Sequence, residues 1–228
     1  MPAYLGQHFL IDQGIAWKAV EALEIGPEDV VVEIGPGRGI LTRQVHGKPA
    51  RFIAIELDQD LIGGLRYEFP DTDRFKIVHS DFLKFDLGSL PEGKVKFIGN
   101  LPFAVASPIL QKVLAWDRTE RAVFMFQKEV CDRLVAGPGT RDYGVLSVVA
   151  QLHAEVSWVA QARADRFRPR PRVDSGVLKF LCRKTSLPRG VTEKRLLTVV
   201  KTAFSQRRKQ IANPLSQGLG LPKEQVFK

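Results

Sequence analysis

Two short stretches carry residue types and spacings suited to group-transfer chemistry. The first is Asn100-Leu101-Pro102-Phe103. Its asparagine offers an amide oxygen as acceptor and an amide N–H as donor. Proline stiffens the turn and removes a competing N–H. Phenylalanine supplies a face on which a nucleobase can stack, worth about 1–3 kcal/mol. The exocyclic amino group of adenine is a weak nucleophile, because its lone pair is delocalised into the ring. Alkylating it requires that nitrogen to be held in line with the electrophile, with acceptors for both N–H bonds. The side-chain oxygen of Asn100 and a main-chain carbonyl near Leu101 would supply them. No general base is needed, since the alkylated amine is acidic enough to lose its proton to water. A base stacked in a duplex cannot reach such a pocket, so the acceptor must be single-stranded, looped or flipped.

The second stretch is Val30-Val31-Val32-Glu33-Ile34-Gly35-Pro36-Gly37-Arg38-Gly39-Ile40-Leu41-Thr42, an apolar strand that breaks into a glycine-rich turn and restarts as a helix. The glycines let the backbone turn sharply and approach a ligand. A dinucleotide fingerprint needs glycine at the first, third and sixth places. Here the glycines are Gly35, Gly37 and Gly39, and the sixth place is Ile40. An acid ahead of Gly-x-Gly-x-Gly is instead the pattern of S-adenosylmethionine methyltransferases. Glu56, at the end of the next apolar run, is placed to accept both hydroxyls of a ribose, with Leu57 beside it to pack on adenine. Asp81 and Phe82 follow a third run, where Asp81 can accept from the adenine amino group or cap a turn.

The elements that must position these residues alternate. A helix over 13–23 is capped by Asp12. Strands are expected at 30–34, 51–57, 75–78, 95–99 and 122–126, with helices at 60–69 and 107–114. Near-continuous apolar strands between helices imply an α/β fold whose parallel sheet is covered on both faces. Gly35, Glu56, Asp81 and Asn100 all fall at or just past the carboxyl ends of strands, where such sheets bind ligands. Residues 145–153 are apolar on nearly every side and fit a helix or a strand equally. Two further strands are expected at 155–160 and 176–181. Between them, Arg166-Phe167-Arg168-Pro169-Arg170-Pro171-Arg172-Val173-Asp174 reads as a stiff extended loop. A helix is expected from about 192 to 211, ending before Asn213-Pro214.

The 228 residues suit one large domain with a small appendage. Cys131 and Cys182 lack metal-type spacing and the four histidines do not cluster, so no metal site is expected. No apolar run is long enough to cross a bilayer, and no signal peptide precedes the first motif, so the expectation is a cytoplasmic protein. The net charge of +9 is uneven: the segment from Arg163 to Lys209 carries +12 and the remainder −3. One basic segment on a slightly acidic body is the footprint of a polyanion partner. Arg168, Arg170 and Arg172, with Arg207, Arg208 and Lys209, are the candidate phosphate contacts.

The chain resembles the ribosomal RNA adenine N6,N6-dimethyltransferases of the KsgA type. The resemblance rests on Gly6-Gln7-His8-Phe9-Leu10, the Glu33-to-Thr42 run, Ile55-Glu56-Leu57-Asp58, Asn100-Leu101-Pro102-Phe103, and Phe126-Gln127-Lys128-Glu129-Val130 with Arg133-Leu134. It continues through Tyr143-Gly144 with Leu146-Ser147-Val148, Phe167-x-Pro169-x-Pro171-x-Val173-Asp174-Ser175, and Ala203-Phe204-x-Gln206-Arg207-Arg208-Lys209. These cover nearly the whole chain in the family's order. The resemblance implies a Rossmann-like S-adenosylmethionine methyltransferase sheet with an antiparallel last strand over residues 1–185. A small, shortened helical domain that contacts RNA would fill 186–228. It implies four methyls moved from S-adenosylmethionine, with S-adenosylhomocysteine as product, onto two neighbouring adenines near the 3′ end of small-subunit rRNA in the pre-30S particle. The protein would act as a monomer, without a membrane or a metal. Gln7, His8, Leu10, Gly35, Glu56, Asp81 and Asn100 would lie around the cofactor, and Asn100 would also meet the target amino group. His8 stands where the family often has Asn, and Phe103 where it often has Tyr. The competing readings are a large-subunit rRNA methyltransferase of the macrolide-resistance type and a non-enzymatic rRNA-binding assembly factor. An NAD-dependent oxidoreductase is disfavoured by Ile40.

Overall fold

The computed structural model describes residues 7–184, 187, 189–206 and 210–226. Strand β1 (Phe9–Leu10) leads into α1 (Gln13–Leu23). The carboxylate of Asp12 accepts from the Ile15 N–H at 2.9 Å, the N-cap expected from its position. Then follow β2 (Val30–Ile34), α2 (Thr42–Val45), β3 (Arg51–Glu56), α3 (Gln59–Glu68) and β4 (Phe75–His79). The next elements are β5 (Val95–Asn100), α4 (Ala106–Ala115), β6 (Thr119–Gln127), α5 (Lys128–Val135) and α6 (Val145–His153). The chain continues through β7 (Ala154–Ala162), β8 (Phe167–Arg168), β9 (Ser175–Cys182), α7 (Glu193–Ala203), α8 (Ala212–Leu219) and α9 (Lys223–Val226). Residues 145–153, open between helix and strand on periodicity, are helical.

Seven strands form one sheet in the order β4-β3-β2-β5-β6-β9-β7. β2, β3, β4, β5 and β6 run parallel, while β9 runs antiparallel to both neighbours. The apolar runs fit a wholly parallel sheet, whereas the family resemblance implies the antiparallel last strand that is found. Alternation along β2 explains the two cores. Val30, Val32 and Ile34 face α4, α5 and α6 through Ile109, Leu110, Val113, Leu134 and Ala150. Val31 faces the opposite side, against Ala16, Val20, Leu23, Ile62 and Leu65 of α1 and α3.

The strand order reverses between β2 and β5, and the two strands approach closely there. A Cβ on Gly99 would sit 2.5 Å from the Ile34 carbonyl oxygen, so only glycine admits this contact. This reversal opens a crevice past the carboxyl ends of β2, β3, β4 and β5.

Two expectations fail. The helix expected at 192–211 ends at Ala203 and passes into a 3₁₀ turn at Phe204–Gln206. The chain then folds back so that α8 packs on α7, with a Cβ on Gly218 placed 2.4 Å from Thr202 Cγ2. Asn213-Pro214 does not stop a helix. It lies in the first turn of α8, where proline's missing N–H has no intrahelical acceptor to lose. The Arg-Pro stretch, expected as a stiff extended loop throughout, includes a strand: β8 pairs antiparallel with β1, Phe9 opposite Arg168 and Leu10 opposite Phe167.

Candidate active site

Beneath the crevice lies a cavity of about 180 Å³ lined from six segments: the 7–10 strap, the glycine turn, the ends of β3, β4 and β5, and the first turn of α4. Gly35 and Gly37 adopt left-handed φ of +67° and +58°, which a side chain would strain. A Cβ on Gly35 would meet nothing within 4 Å, so its bare backbone leaves the cavity open there. Gly37 is covered by Phe9, whose ring would lie 3.0 Å from a Cβ. Arg38 lies over that ring, 4.8 Å from its centroid.

Glu56 is 3 % exposed at the end of β3. Its Oε2 accepts from the Gly37 N–H at 3.0 Å, and its Oε1 accepts from the Leu57 and Asp58 N–H groups at 2.9 Å each. Burial raises its pKa above the ordinary carboxyl range, and the three N–H bonds oppose that rise. Three of the roughly four acceptor sites of a carboxylate are thus taken. Oε2 remains open to one ribose hydroxyl, and a second hydroxyl can bind only by sharing it. Leu57 is half exposed on the rim. Asp81 Oδ1 accepts from the Leu83 N–H at 2.9 Å, which closes a tight turn and leaves Oδ2 open. Phe82 is buried beneath it.

At the end of β5, Asn100 Nδ2 donates to the His8 carbonyl oxygen at 2.8 Å. With its nitrogen so committed, Oδ1 is an acceptor with no partner among the described residues. Leu101 is 1 % exposed, so its side chain belongs to the core and only its main chain is offered to a ligand. Pro102 and Phe103 line the cavity, with the Phe103 ring 5.7 Å from the imidazole of His8. The imidazole Nδ1 lies 2.7 Å from the Pro169 carbonyl oxygen. The Ile11 N–H donates to the Arg166 carbonyl and Arg166 pairs with Asp12, so the strap is tied along its length to the Arg-Pro segment. The exposed side chains of Arg168, Arg170 and Arg172 lie on that segment.

Thus Gln7, His8, Leu10, Gly35, Gly37, Glu56, Leu57, Asp81, Phe82, Asn100, Leu101, Pro102 and Phe103 converge on one cavity. Gly39 does not line it. Its φ of +77° instead lets the turn pack on α3, with a Cβ placed 3.2 Å from Leu65 and Phe69. Arg207, Arg208 and Lys209 lie outside the described residues. Four further lining residues were not among the expected site residues, although Glu33 was read as the acid ahead of the glycines. Phe9 was signalled only by its place inside the Gln7-to-Leu10 run. Val105 and Ile109 line the wall one helical turn apart. Glu33, 1 % exposed, lines the floor. Its Oε2 accepts from Thr42 Oγ1 at 2.7 Å, while Oε1 has no partner among the described residues. Burial, reinforced by the charge of Glu56, pushes its pKa up to about 8.

These donors and acceptors fit S-adenosylmethionine better than a dinucleotide. Glu56 and Asp81 face the cavity, and the one cation among the described residues of its wall, Arg38, is stacked on Phe9. That balance suits a cationic nucleoside and opposes a pyrophosphate. The sheet order, the switch-point crevice and this cavity define a Rossmann-like methyltransferase.

The chain belongs to the ribosomal RNA adenine dimethylase family, whose pattern matches residues 3–228. It is 42 % identical over 228 residues to the ribosomal RNA small subunit methyltransferase A of Geobacter metallireducens, covering 97 % of this chain and 83 % of that one. The protein of the same name from Desulfitobacterium hafniense is 44 % identical over 225 residues, covering 97 % and 80 %. Among solved structures, a dimethyladenosine transferase from Plasmodium falciparum superposes with a TM-score of 0.81 at 26 % identity, covering 92 % of this chain and 75 % of that one. The 23S rRNA methyltransferase ErmE superposes at 0.76 with 27 % identity, covering 96 % and 87 %.

Proposed function

We propose that the protein dimethylates the N6 amino groups of two adjacent adenines near the 3′ end of small-subunit rRNA, using S-adenosylmethionine. The observation that carries this reading is the state of Asn100. Its amide nitrogen is held by the His8 carbonyl, so its oxygen is an open acceptor beside Pro102 and Phe103, at the edge of the nucleoside-fitting cavity. When bound, S-adenosylmethionine supplies a methyl group on a sulfonium. Glu56 Oε2 would hold a ribose hydroxyl, Asp81 Oδ2 the adenine amino group, and Leu57 and Phe82 the faces of the ring. Asn100 Oδ1 would accept an N–H of the target amine and favour a pyramidal nitrogen whose lone pair is free to react. Phe103 would stack on the target base. No described side chain is required as a base, because the methylated amine releases its proton to water.

The basic segment would grip the RNA. Arg168, whose strand pairs with the strap, would do so with Arg170 and Arg172 of the same segment, and Arg207, Arg208 and Lys209 are read as further phosphate contacts. Residues 186–228 act in this reading as an RNA-contacting unit attached to a methyltransferase domain over 1–185. The substrate is the assembling small subunit, the protein acts as a monomer, and the compartment is the cytoplasm. Among the described residues no helix is long and apolar enough to cross a membrane. Small-subunit relatives at 42–44 % identity favour this substrate over the large subunit, since the likeness to ErmE at 27 % is shared by the fold. The test offers the protein purified, unmethylated small and large ribosomal particles with labelled cofactor and maps the labelled base. Label in adenines of the small-subunit RNA alone is expected. Label confined to the large subunit, or RNA binding without transfer, overturns the reading.

A further inference from the structure

Lys112 stands outside every motif read from the sequence, yet its ammonium is tightly held. It lies on α4, half-buried, and donates to three main-chain carbonyls of one turn: Phe82 at 2.8 Å, Leu83 at 2.9 Å and Phe85 at 2.6 Å. Its Nζ also lies 5.2 Å from the centroid of the Phe82 ring. An ammonium has three N–H donors, so the three carbonyls satisfy it completely. No carboxylate is within ion-pair distance of it among the described residues. Burial lowers its pKa, and the charges of Asp81 and Asp86 oppose that drop.

The turn it holds spans 81–85. The Lys84 and Phe85 N–H groups donate to the Asp81 carbonyl, and the Leu83 N–H donates to Asp81 Oδ1. The carbonyls at one end of this single turn converge on Lys112. At its other end stand the open Asp81 Oδ2 and the Phe82 N–H, which no described residue accepts. An acceptor beside a donor is the complement of the Watson–Crick edge of adenine, whose amino group donates and whose N1 accepts. One isolated helical turn is unstable without outside partners; here the buried Phe82 ring anchors one side and the three Lys112 bonds fix the carbonyls on the other. The same helix begins at Ala106, three residues after Phe103, and lines the cavity with Ile109. A single rigid element thereby sets the turn that reads the cofactor's base against the loop that receives the target base.

We propose that Lys112 is the positioning residue that makes the cavity selective for adenine in the cofactor, by locking the Asp81–Phe82 acceptor–donor pair. The inference rests on the methyltransferase reading above and goes beyond it, because it concerns how the cofactor's base is chosen. Hypoxanthine presents an oxygen where adenine has an amino group, and an N1–H where adenine has a lone pair. Both contacts mismatch an ordered pair, and a site built for hydrogen bonds rejects such a mismatch strongly.

The test measures calorimetric binding of S-adenosylhomocysteine and S-inosylhomocysteine to wild-type protein, Lys112→Met and Lys112→Gln. Wild type is expected to prefer the adenine compound by about a hundredfold or more. Lys112→Met should bind S-adenosylhomocysteine about tenfold more weakly and prefer it by less than about tenfold. Lys112→Gln, which keeps two donors, should fall between them and stands in should the methionine variant not fold. At saturating S-adenosylmethionine, kcat should change by less than about threefold while KM rises. A merely structural role would lower Tm and leave the adenine-to-hypoxanthine ratio at its wild-type value, and that result overturns the proposal. Wild type that binds neither compound overturns the methyltransferase reading along with it. Wild type that discriminates, beside variants that do so equally, overturns the role of Lys112 alone.

Discussion

Replacing Glu33 with glutamine should flatten the dependence of stability on pH. Glu33 is buried, with one carboxylate oxygen bonded to Thr42 and the other without a partner among the described residues. Desolvation raises its pKa from the ordinary 4.5 to about 8, with a contribution from Glu56. Between those values the folded protein keeps a proton that the unfolded chain has released. Stability must therefore fall as pH rises through that window, at up to about 1.4 kcal/mol per pH unit. The penalty is absent below the lower value and complete above the upper one. Glutamine cannot ionise, nearly matches the shape and still offers Thr42 an oxygen. Between pH 5.5 and 7.5, wild type should therefore lose up to about 3 kcal/mol relative to Glu33→Gln, less whatever water or relaxation recovers. Urea titrations at pH 5.5, 6.5 and 7.5, at constant ionic strength, measure the difference. Glu56 is also raised by burial, but its slope is common to both proteins and cancels to first order. A stability difference that stays constant across the three pH values would refute the reasoning, because it would mean Glu33 is already ionised at pH 5.5.

Other substitutions probe the site one function at a time. Asn100→Ala should lose methyl transfer while its Kd for S-adenosylhomocysteine rises less than about tenfold, since the one bond lost to the strap, to the His8 carbonyl, is worth about 0.5–1.5 kcal/mol. Calorimetry beside a transfer assay separates the two effects. Glu56→Ala leaves the Gly37, Leu57 and Asp58 N–H groups without their acceptor, so cofactor binding should weaken by about a hundredfold or more. Near-normal affinity would show that the carboxylate does not reach the ribose. Gly99→Ala would push β5 off the Ile34 carbonyl and should cost about 1–3 kcal/mol, visible as a lower Tm. Neutralising Arg168, Arg170 and Arg172 together should weaken RNA binding and flatten its salt slope by about 0.7–0.9 per lost phosphate contact. An unchanged slope would make them a solvated face.

The parts of the fold that were legible in the sequence are those with strong local signals. Five strands announced themselves as apolar runs expected to end at 34, 57, 78, 99 and 126, each within one residue of the observed strand end, and α1 by its Asp12 cap. Convergence of Gly35, Glu56, Asp81 and Asn100 followed from strand ends alone. What escaped depends on distant partners. β1 and β8 are two residues each, too short for any periodicity, and exist only because they pair with each other. The helix expected to reach residue 211 breaks because α8 folds onto Thr202 through Gly218, a contact invisible to a window scan. The antiparallel course of β9 has no signature in its own residues. Lys112 and the unpartnered oxygen of Glu33 are informative only through the carbonyls and apolar atoms around them.

The strap that roofs the cavity also sets a schedule for synthesis. His8 finds its hydrogen-bond partner in Pro169, 161 residues further on, and β1 has no other strand to pair with among the described residues. Contacts of such sequence separation form late, after the local helices and the parallel core. A nascent chain that has emerged as far as β7 could assemble the glycine turn and the ends of β3 and β5, yet His8 would lack its Pro169 partner and β1 its paired strand. The emerging chain would thus lack a closed pocket until the Arg-Pro segment follows, and the last part of the cavity's enclosure to be translated would be the part that closes it.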